Sequence, residues 1–204
     1  MGNGSLAVGQ ESTAYGYSAL AGTDSFNQPS AGTDPDTIGN AYATAMGSRA
    51  KASAQGSTAL GAKSGATGIS SVAIGEGSTA SNDFSVAIGS SSTATMKGAI
   101  AIGDGAFSGG KDAGASIVIG GAIEKSDYAP ALNGARNNGN GQASIVIGSG
   151  ATNNGAIATV IGTGASTGVP GGSTVIGSFA SSLLGRIVLH WGMAIQLHKT
   201  KRLH

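Results

Sequence analysis

A pentad of the form Ser-Val-Ala-Ile-Gly recurs along the chain at a fixed interval. It is found unchanged at 71–75 and 85–89, with close variants at 5–9, 43–47, 57–61, 99–103, 116–120, 144–148, 158–162 and 173–177. The closing glycines from Gly47 to Gly103 are 14 residues apart, and those from Gly120 to Gly162, with Gly134 among them, keep the same spacing. A period this long and this regular is the signature of a repeat architecture, in which each unit stacks on the next.

The residues of one repeat predict two short strands and no helix. β-Branched residues alternate with small ones in the pentad, which is typical of a strand. A second strand is expected after each glycine, as at 78–81 and 92–95, with Gly, Asn and Asp residues in the turns. Fourteen residues suffice for one coil of a narrow parallel β-solenoid. Roughly a dozen coils stacked at about 4.8 Å form a rod on the order of 60 Å long.

The alternation also predicts which side chains face inward. We expect Val72, Ile74, Val86 and Ile88 to fill the coil interior. The inward positions of the second strand are expected to be small, and they are Ser78 and Ala80, Ser92 and Ala94, Ala50 and Ala52, and Ala151 and Asn153.

The other face of the first strand then carries an outer apolar stripe. Scattered apolar surface residues need no explanation. A continuous ladder of them instead favours a partner surface. The stripe comprises Ala73, Ala87, Ala101, Val118, Val146, Val160 and Val175.

Composition excludes several classes of protein. Aromatic residues are 4% and charged residues 10% of the chain, and there is no cysteine, so a disulfide framework and thiolate chemistry are excluded. The net charge of +1 is divided between about −3 in residues 1–182 and +4 in residues 183–204. No basic stripe follows the repeats, so we do not expect nucleic-acid binding.

The repeats divide the chain into two parts. Residues 1–182 form the predicted β-roll, with a proline-containing loop at about 23–42 and a degenerate coil at Gly121–Gly134. Residues 183–204 do not fit the repeat, and their apolar stretch Leu183–Leu197 is too short to cross a membrane as a helix, so no membrane insertion is expected. They are either an unrelated end or a cap for the last coil edge. No signal peptide is visible, because the first residues lead directly into a repeat.

The sequence contains no pattern typical of an active site. The three histidines, His190, His198 and His204, all lie in the tail, so the repeats offer no Ser–His pair and no zinc-binding spacing. The carboxylates near Asp34 and Glu124 are interpreted as solvated turn residues. We therefore expect no enzyme activity, no metal and no cofactor.

The unit S-V-A-I-G-x-x-S-x-A, at Ser71–Ala80 and Ser85–Ala94, resembles the head repeat of trimeric autotransporter adhesins of the Yersinia adhesin type. The resemblance covers about Ser5 to Ser182. It implies a left-handed parallel β-roll, a homotrimer and display on the outer membrane of a Gram-negative bacterium. It also implies attachment to host matrix proteins such as collagen, fibronectin or laminin. The collagen-linked units of that family read N-S-V-A-I-G-x-x-S, and Ser70 and Phe84 stand here at the Asn position.

These implications turn the sequence pattern into site predictions. The apolar stripe is expected to line the contact between three chains, and Ser71, Ser78, Ser85 and Ser92 are the candidate ligand-binding residues. A structural trimeric rod of a phage or surface layer, without a host ligand, is the alternative function. An ice-binding solenoid is disfavoured, because the position shared by Thr13, Thr79 and Thr93 does not stay threonine.

Overall fold

The computed structural model describes residues 2–9, 11–22, 42–109, 114–124, 132–139, 143–155, 157–168, 172–182 and the backbone of 187–189. All regular structure within these residues is β, in 22 short strands without a helix. Each coil contributes one strand to each of two parallel sheets, and each sheet has 11 strands. The prediction of an all-β parallel solenoid with 14-residue coils is therefore confirmed.

We name the two sheets A and B, and the strands alternate between them along the chain. The A sheet comprises β1 (Leu6–Ala7), β3 (Leu20–Ala21), β5 (Lys51–Ala52), β7 (Gly65–Ala66), β9 (Thr79–Ala80), β11 (Thr93–Ala94), β13 (Phe107–Ser108), β15 (Arg136–Asn137), β17 (Thr152–Asn153), β19 (Ser166–Thr167) and β21 (Ser181–Ser182). The B sheet comprises β2 (Thr13–Tyr15), β4 (Thr44–Met46), β6 (Thr58–Leu60), β8 (Val72–Ile74), β10 (Val86–Ile88), β12 (Ile100–Ile102), β14 (Ile117–Ile119), β16 (Ile145–Ile147), β18 (Ala158–Ile161), β20 (Ser173–Ile176) and β22 (Ile187–Leu189).

The core is a narrow seam of small side chains between the two sheets. Ala73 of β8 and Ala80 of β9 are both fully buried, and each is in register with an alanine of the next coil, Ala87 and Ala94. The inward positions predicted for the second strand, such as Ser78 and Ala80, are indeed buried. Small residues on both sides allow the two sheets of one coil to approach closely.

The prediction for the interior of the first strand is wrong. Val72, Ile74, Val86 and Ile88 are only partly buried and point away from the seam. The physical reason is the thinness of the coil. Since the A strand already presents alanine inward, a β-branched residue opposite it would hold the sheets apart. The smaller alternate set of the pentad therefore faces inward.

The predicted trimer stripe is wrong for the same reason. Its members lie in the interior of their own coil and have no exposed surface, so they cannot contact another chain. These residues are Ala73, Ala87, Ala101, Val118, Val146, Val160 and Val175, each 0% exposed in a single chain.

The glycine that closes each pentad is required by both conformation and space. Gly75 has φ 122°, which is outside the range of most residues with a side chain. A Cβ atom added to it would lie 2.5 Å from the carbonyl oxygen of Gly89 in the next coil. The glycine column therefore lets the corners of successive coils stack, which explains why the period is so clear in the sequence.

One apparent repeat is an insertion rather than a coil. Gly120 stacks directly on Gly148, and β14 pairs with β16. The described residues of the predicted degenerate coil at Gly121–Gly134 lie between β14 and β15 and add no strand to either sheet, and Ile123 and Leu132 form an antiparallel bridge there. Gly120 and Gly148 are thus two periods apart in the sequence but only one coil apart in the structure. The connections before and after β15 are longer than in the regular coils, and their additional residues together equal one period.

The two ends of the repeat region also differ from the predicted register. The first pentad, at 5–9, contains β1 of the A sheet, and the first B strand is β2, followed by Gly16 with φ 130°. At the other end β22 pairs with β20, with Val188 opposite Val175. The B sheet thus continues past residue 182. The rest of the tail, and nearly all of the loop predicted at 23–42, lie outside the described residues.

Candidate functional site

The outer surface of the B sheet is a largely apolar strip, which we call the aliphatic face. It is formed by the two outward positions of each pentad, the second and the fourth. From β8 to β16 all of these positions are valine or isoleucine: Val72, Ile74, Val86, Ile88, Ile100, Ile102, Ile117, Ile119, Ile145 and Ile147. Threonine alternates with a larger apolar residue in β4, β6, β18 and β20.

Strict parallel register aligns these side chains into two straight columns. Val86 lies opposite Val72 and Ile100, while Ile88 lies opposite Ile74 and Ile102. From β2 to β20, no outward position of the B sheet carries a charge. The columns therefore run along the described part of the rod without a polar break other than threonine.

The aliphatic face is open to solvent in a single chain. Ile119, Ile145 and Ile176 are 38%, 36% and 37% exposed, and Met46 near the start of the rod is 44% exposed. Isolated apolar side chains of this kind are common on protein surfaces. A contiguous strip that extends over many strands instead marks an interaction surface. Residues that are apolar on both faces of a strand are typical of sheets covered on both sides.

The outer surface of the A sheet has a different character. Its outward positions include Lys51, Thr79, Thr93, Thr152 and Ser166, each exposed or partly exposed. Of the two described sheet surfaces, the B sheet therefore has the more continuous apolar character.

One cation–aromatic pair interrupts the hydroxyl residues of that surface. The Arg136 guanidinium lies 4.6 Å from the centre of the Phe107 ring on the neighbouring A strand. A pair at this distance is favourable. It covers part of the only aromatic ring among the outward positions of the described A strands.

The four predicted ligand-binding serines are not on the surface. Ser71, Ser78, Ser85 and Ser92 are fully buried within the coil. The Ser78 hydroxyl donates a hydrogen bond of 2.9 Å to the Gly75 carbonyl oxygen, and the Ser92 hydroxyl donates an equivalent one to the Gly89 carbonyl. The prediction is wrong, because all four hydroxyls are buried and cannot reach a ligand, and those of Ser78, Ser85 and Ser92 instead fasten the turn that precedes their strand.

The outward valines and isoleucines are the surface residues that the sequence reasoning assigned to the interior. The signal that identifies them is the size of the inward residues of the second strand. If Ala80 faces inward in a coil of 14 residues, the opposite strand has room only for a residue such as Ala73. The larger members of the pentad must then face outward.

The described residues contain no cluster of His, Cys, Asp or Glu that could hold a metal ion. Among the same residues no helix is long and apolar enough to cross a membrane. The aliphatic face is therefore the most distinctive surface that the structure describes.

Part of the chain matches a known family. Residues 2–21, 40–64 and 66–92 match the YadA head domain repeat, which is recognised in two copies. The matched residues include the strands from β4 to β10 and thus the start of the aliphatic face. Comparison with curated proteins finds no match.

Proposed function

We propose that this chain is the head of a bacterial surface adhesin, on the premise that its residues 2–21, 40–64 and 66–92 match the YadA head domain repeat. In this proposal the head is a left-handed β-roll that works as a homotrimer, displayed outside the outer membrane of a Gram-negative bacterium. It attaches the cell to host extracellular matrix or host cells and has no catalytic role. The observation that carries the proposal is the aliphatic face on a chain that matches this family's head repeat over its first 92 residues, with gaps.

Association through the aliphatic face supplies what the thin coil lacks. The interior is mostly alanine and serine, so each coil buries little apolar surface of its own. A small core is a weak source of stability, and oligomerisation is a common remedy. Covering the valine and isoleucine columns contributes roughly 25 cal/mol for each Å² of apolar surface removed from water. Three chains with these faces turned toward one axis would share a second, larger core.

The straightness of the columns suits an assembly of parallel rods. Each coil presents the same two outward positions, with Ile74, Ile88 and Ile102 in direct register. Neighbouring chains can therefore repeat one contact along their whole length. A rotationally symmetric trimer satisfies this geometry, because a ring of three closes with equivalent contacts.

Assembly with the B sheets inward leaves the A sheets and the turns for host contacts. Those surfaces repeat from coil to coil and again from chain to chain. Linked weak sites gain avidity when several of them engage together. Collagen, fibronectin and laminin are the matrix proteins we propose as partners.

The assembly surface is tested by placing a charge on each side of the same coil. Ile88→Glu adds a carboxylate to the aliphatic face, while Thr93→Glu adds one to the A sheet. We expect size-exclusion chromatography with light scattering to give a monomer mass for Ile88→Glu and a trimer mass for Thr93→Glu. A trimer of unchanged stability for Ile88→Glu would show that this face is not the contact.

Attachment needs a separate measurement. Recombinant trimer is applied to immobilised collagen, fibronectin and laminin and to cultured host cells, with the Ile88→Glu protein as the monomeric control. We expect the trimer to bind at least one of these surfaces and the monomer to bind it more weakly. A stable trimer that binds none of them would favour the structural rod of a phage or surface layer.

A further inference from the structure

Three basic side chains lie together at one corner of the early coils. Arg49 and Lys63 occupy the same position of the turn that leads from a B strand to an A strand, in adjacent coils. The Arg49 amide donates to the Tyr17 carbonyl and the Lys63 amide to the Ser48 carbonyl, so adjacent coils remain hydrogen-bonded through this turn. The Cα atoms of Arg49 and Lys63 are therefore separated by one interstrand spacing, about 4.8 Å. Lys51 lies two residues after Arg49, at the outward position of β5. All three residues are exposed.

The charge balance at this corner can be stated for the part of the chain that the structure describes. Within the described residues, none of them has a carboxylate at ion-pair distance. Glu76 lies in the same turn one coil further along and does not pair with Lys63. Like charges on adjacent coils repel one another, and salt and water only reduce that repulsion. The corner is therefore a concentrated positive patch on an otherwise sparsely charged surface.

A recess lies beside this patch, at Gly65 of β7. In the A sheet Gly65 pairs with Lys51 of the preceding coil and with Thr79 of the next coil, and all three stand at the outward position of their strand. Unlike the corner glycines, Gly65 does not have a positive φ, and a Cβ atom added to it would meet no atom within 4 Å. Neither backbone conformation nor packing requires a glycine there. Its effect is to leave an open notch in the row of outward side chains, flanked by Lys51 and Thr79.

We propose that this corner, formed by Arg49, Lys51, Lys63 and the notch at Gly65, binds a sulfated polysaccharide. The ligand class rests on the proposed function, since a head exposed at a host surface meets sulfated chains of the extracellular matrix. The sulfate groups contact the three cations, and the notch admits a sugar ring close to the backbone of the A sheet.

The shape of the site favours an extended polyanion over a small anion. The three cations are solvent-exposed side chains distributed over two adjacent coils, and a single small anion on an exposed surface gains little from each of them. A chain with several anionic groups can instead contact cations on two coils at once, and it gains affinity from each. The positions that flank the notch, Lys51 and Thr79, offer no aromatic ring on which a nucleic-acid base could stack.

The repeat itself supplies substitutions that the fold accepts. Arg49→Ser and Lys63→Ser introduce the residue that Ser91 provides at the same turn position, with φ 54°. Lys51→Thr introduces the residue that β9 and β11 carry. Binding of the trimer to immobilised heparin is measured at increasing salt concentration. We expect the triple variant to bind about tenfold more weakly than the parent, in keeping with the modest contribution of each exposed ion pair.

Gly65→Thr tests the recess without changing any charge. Threonine is the residue of the next two coils at this position, so circular dichroism and melting should be retained. We expect weaker heparin binding because the notch is filled. Unchanged binding by this variant would mean that the recess has no part in the site.

The control removes a cation from the opposite corner. Lys97→Gln introduces the residue found at the equivalent position of an earlier coil, Gln55. It should leave heparin binding within about twofold, since one distant exposed charge contributes little. The proposal is overturned if Lys97→Gln weakens binding as much as the triple variant, or if the triple variant binds like the parent. It is also overturned if duplex DNA competes as well as heparin at equal charge concentration.

These outcomes are separable from those of the proposed function. A trimer that attaches to matrix proteins but does not bind heparin would remove this site alone. Heparin binding by a chain that does not form a trimer would retain the site and contradict the assembly.

Discussion

The early coils, from β4 to β12, and the late coils, from β14 to β20, build the same fold around different interiors. In the early coils the two inward strand positions are almost all alanine, as in Ala73 and Ala80. In the late coils valine replaces alanine in the B sheet at Val118, Val146, Val160 and Val175. The A sheet there carries polar residues instead, at Asn137, Asn153 and Thr167, all buried.

The late interior is stabilised by hydrogen bonds that the early interior does not need. The Asn153 side-chain amide donates to Asn137 Oδ1 at 2.8 Å and to the Ser144 hydroxyl at 3.1 Å. Asn153 Oδ1 accepts a hydrogen bond of 2.9 Å from the Gly155 backbone amide. Buried polar groups are costly unless they are paired. Within the described residues, Asn137 Nδ2 and Thr167 Oγ1 have no hydrogen-bond partner.

The comparison separates what the coil requires from what it tolerates. Both interiors keep the closing glycine, the parallel register and the outward isoleucines, as in Ile74 and Ile147. The seam accepts the two additional carbon atoms of valine, or an amide most of whose polar atoms find partners. It is therefore the limited width of the coil, rather than any one side chain, that defines the fold.

The largest effect is expected from a charge in the early interior. Ala87 is fully buried between Ala73 and Ala101, so Ala87→Glu places a carboxylate where neither water nor a cation can reach it. The expected cost is several kcal/mol per chain. We expect loss of the β signal in circular dichroism and no stable trimer. Thr93→Glu, in the same coil but exposed, is the control that keeps both. A folded Ala87→Glu protein would show that the inward face is assigned wrongly.

An intermediate effect is expected from breaking the late amide ladder. Asn153→Ala restores the residue typical of the early coils, but it leaves Ser144, Gly155 and Asn137 without one of their partners. The expected loss is about 1–3 kcal/mol per chain, because unsatisfied buried groups are costly. Thermal melting should show a clear decrease. Asn154→Ala, whose side chain is exposed, should remain within about 0.5 kcal/mol. Equal melting of the two variants would mean that the ladder does not stabilise the late coils.

The smallest effect is expected from a hydroxyl without a partner. Ser71 Oγ is buried and has no hydrogen-bond partner among the described residues, and alanine stands at the equivalent position of β18 as Ala158. Ser71→Ala should therefore be neutral or slightly stabilising. Ser78→Ala loses the hydrogen bond to Gly75 and should cost about 1 kcal/mol. Both variants should attach to matrix surfaces as the parent protein does. If either variant lost attachment while keeping its stability, the serines would have to be part of the ligand-binding site.

Much of the fold could be predicted, because the period and the alternation are local features of the chain. The strands at 72–74 and 79–80, the glycine corners and the small inward residues of the A sheet follow from short stretches read alone. The insertion between Gly120 and Gly148 could not be identified in this way. Because the additional residues equal one period, Gly148 after the insertion stays a whole number of 14-residue periods from Gly120 before it. Only the pairing of β14 with β16 shows that a single coil spans two periods of the sequence.

The candidate site was mispredicted because the inward and outward faces of the first strand were exchanged. Side chains of a strand alternate between two faces, so the pattern of Val72, Ala73 and Ile74 is equally consistent with either set facing inward. The general preference for large apolar residues in a core suggested valine and isoleucine. In a coil this thin the space between the sheets is the stronger constraint, and it admits alanine.

The amino-acid sequence by itself determined that this protein is a parallel β-solenoid with coils of 14 residues, because a repeated turn and a repeated strand leave no other way to stack. Only the tertiary structure decided which face of each strand is buried. That choice depends on the distance between two strands of one coil, which no single strand encodes. The same distance places alanine inside, leaves the isoleucine columns outside and so creates the aliphatic face.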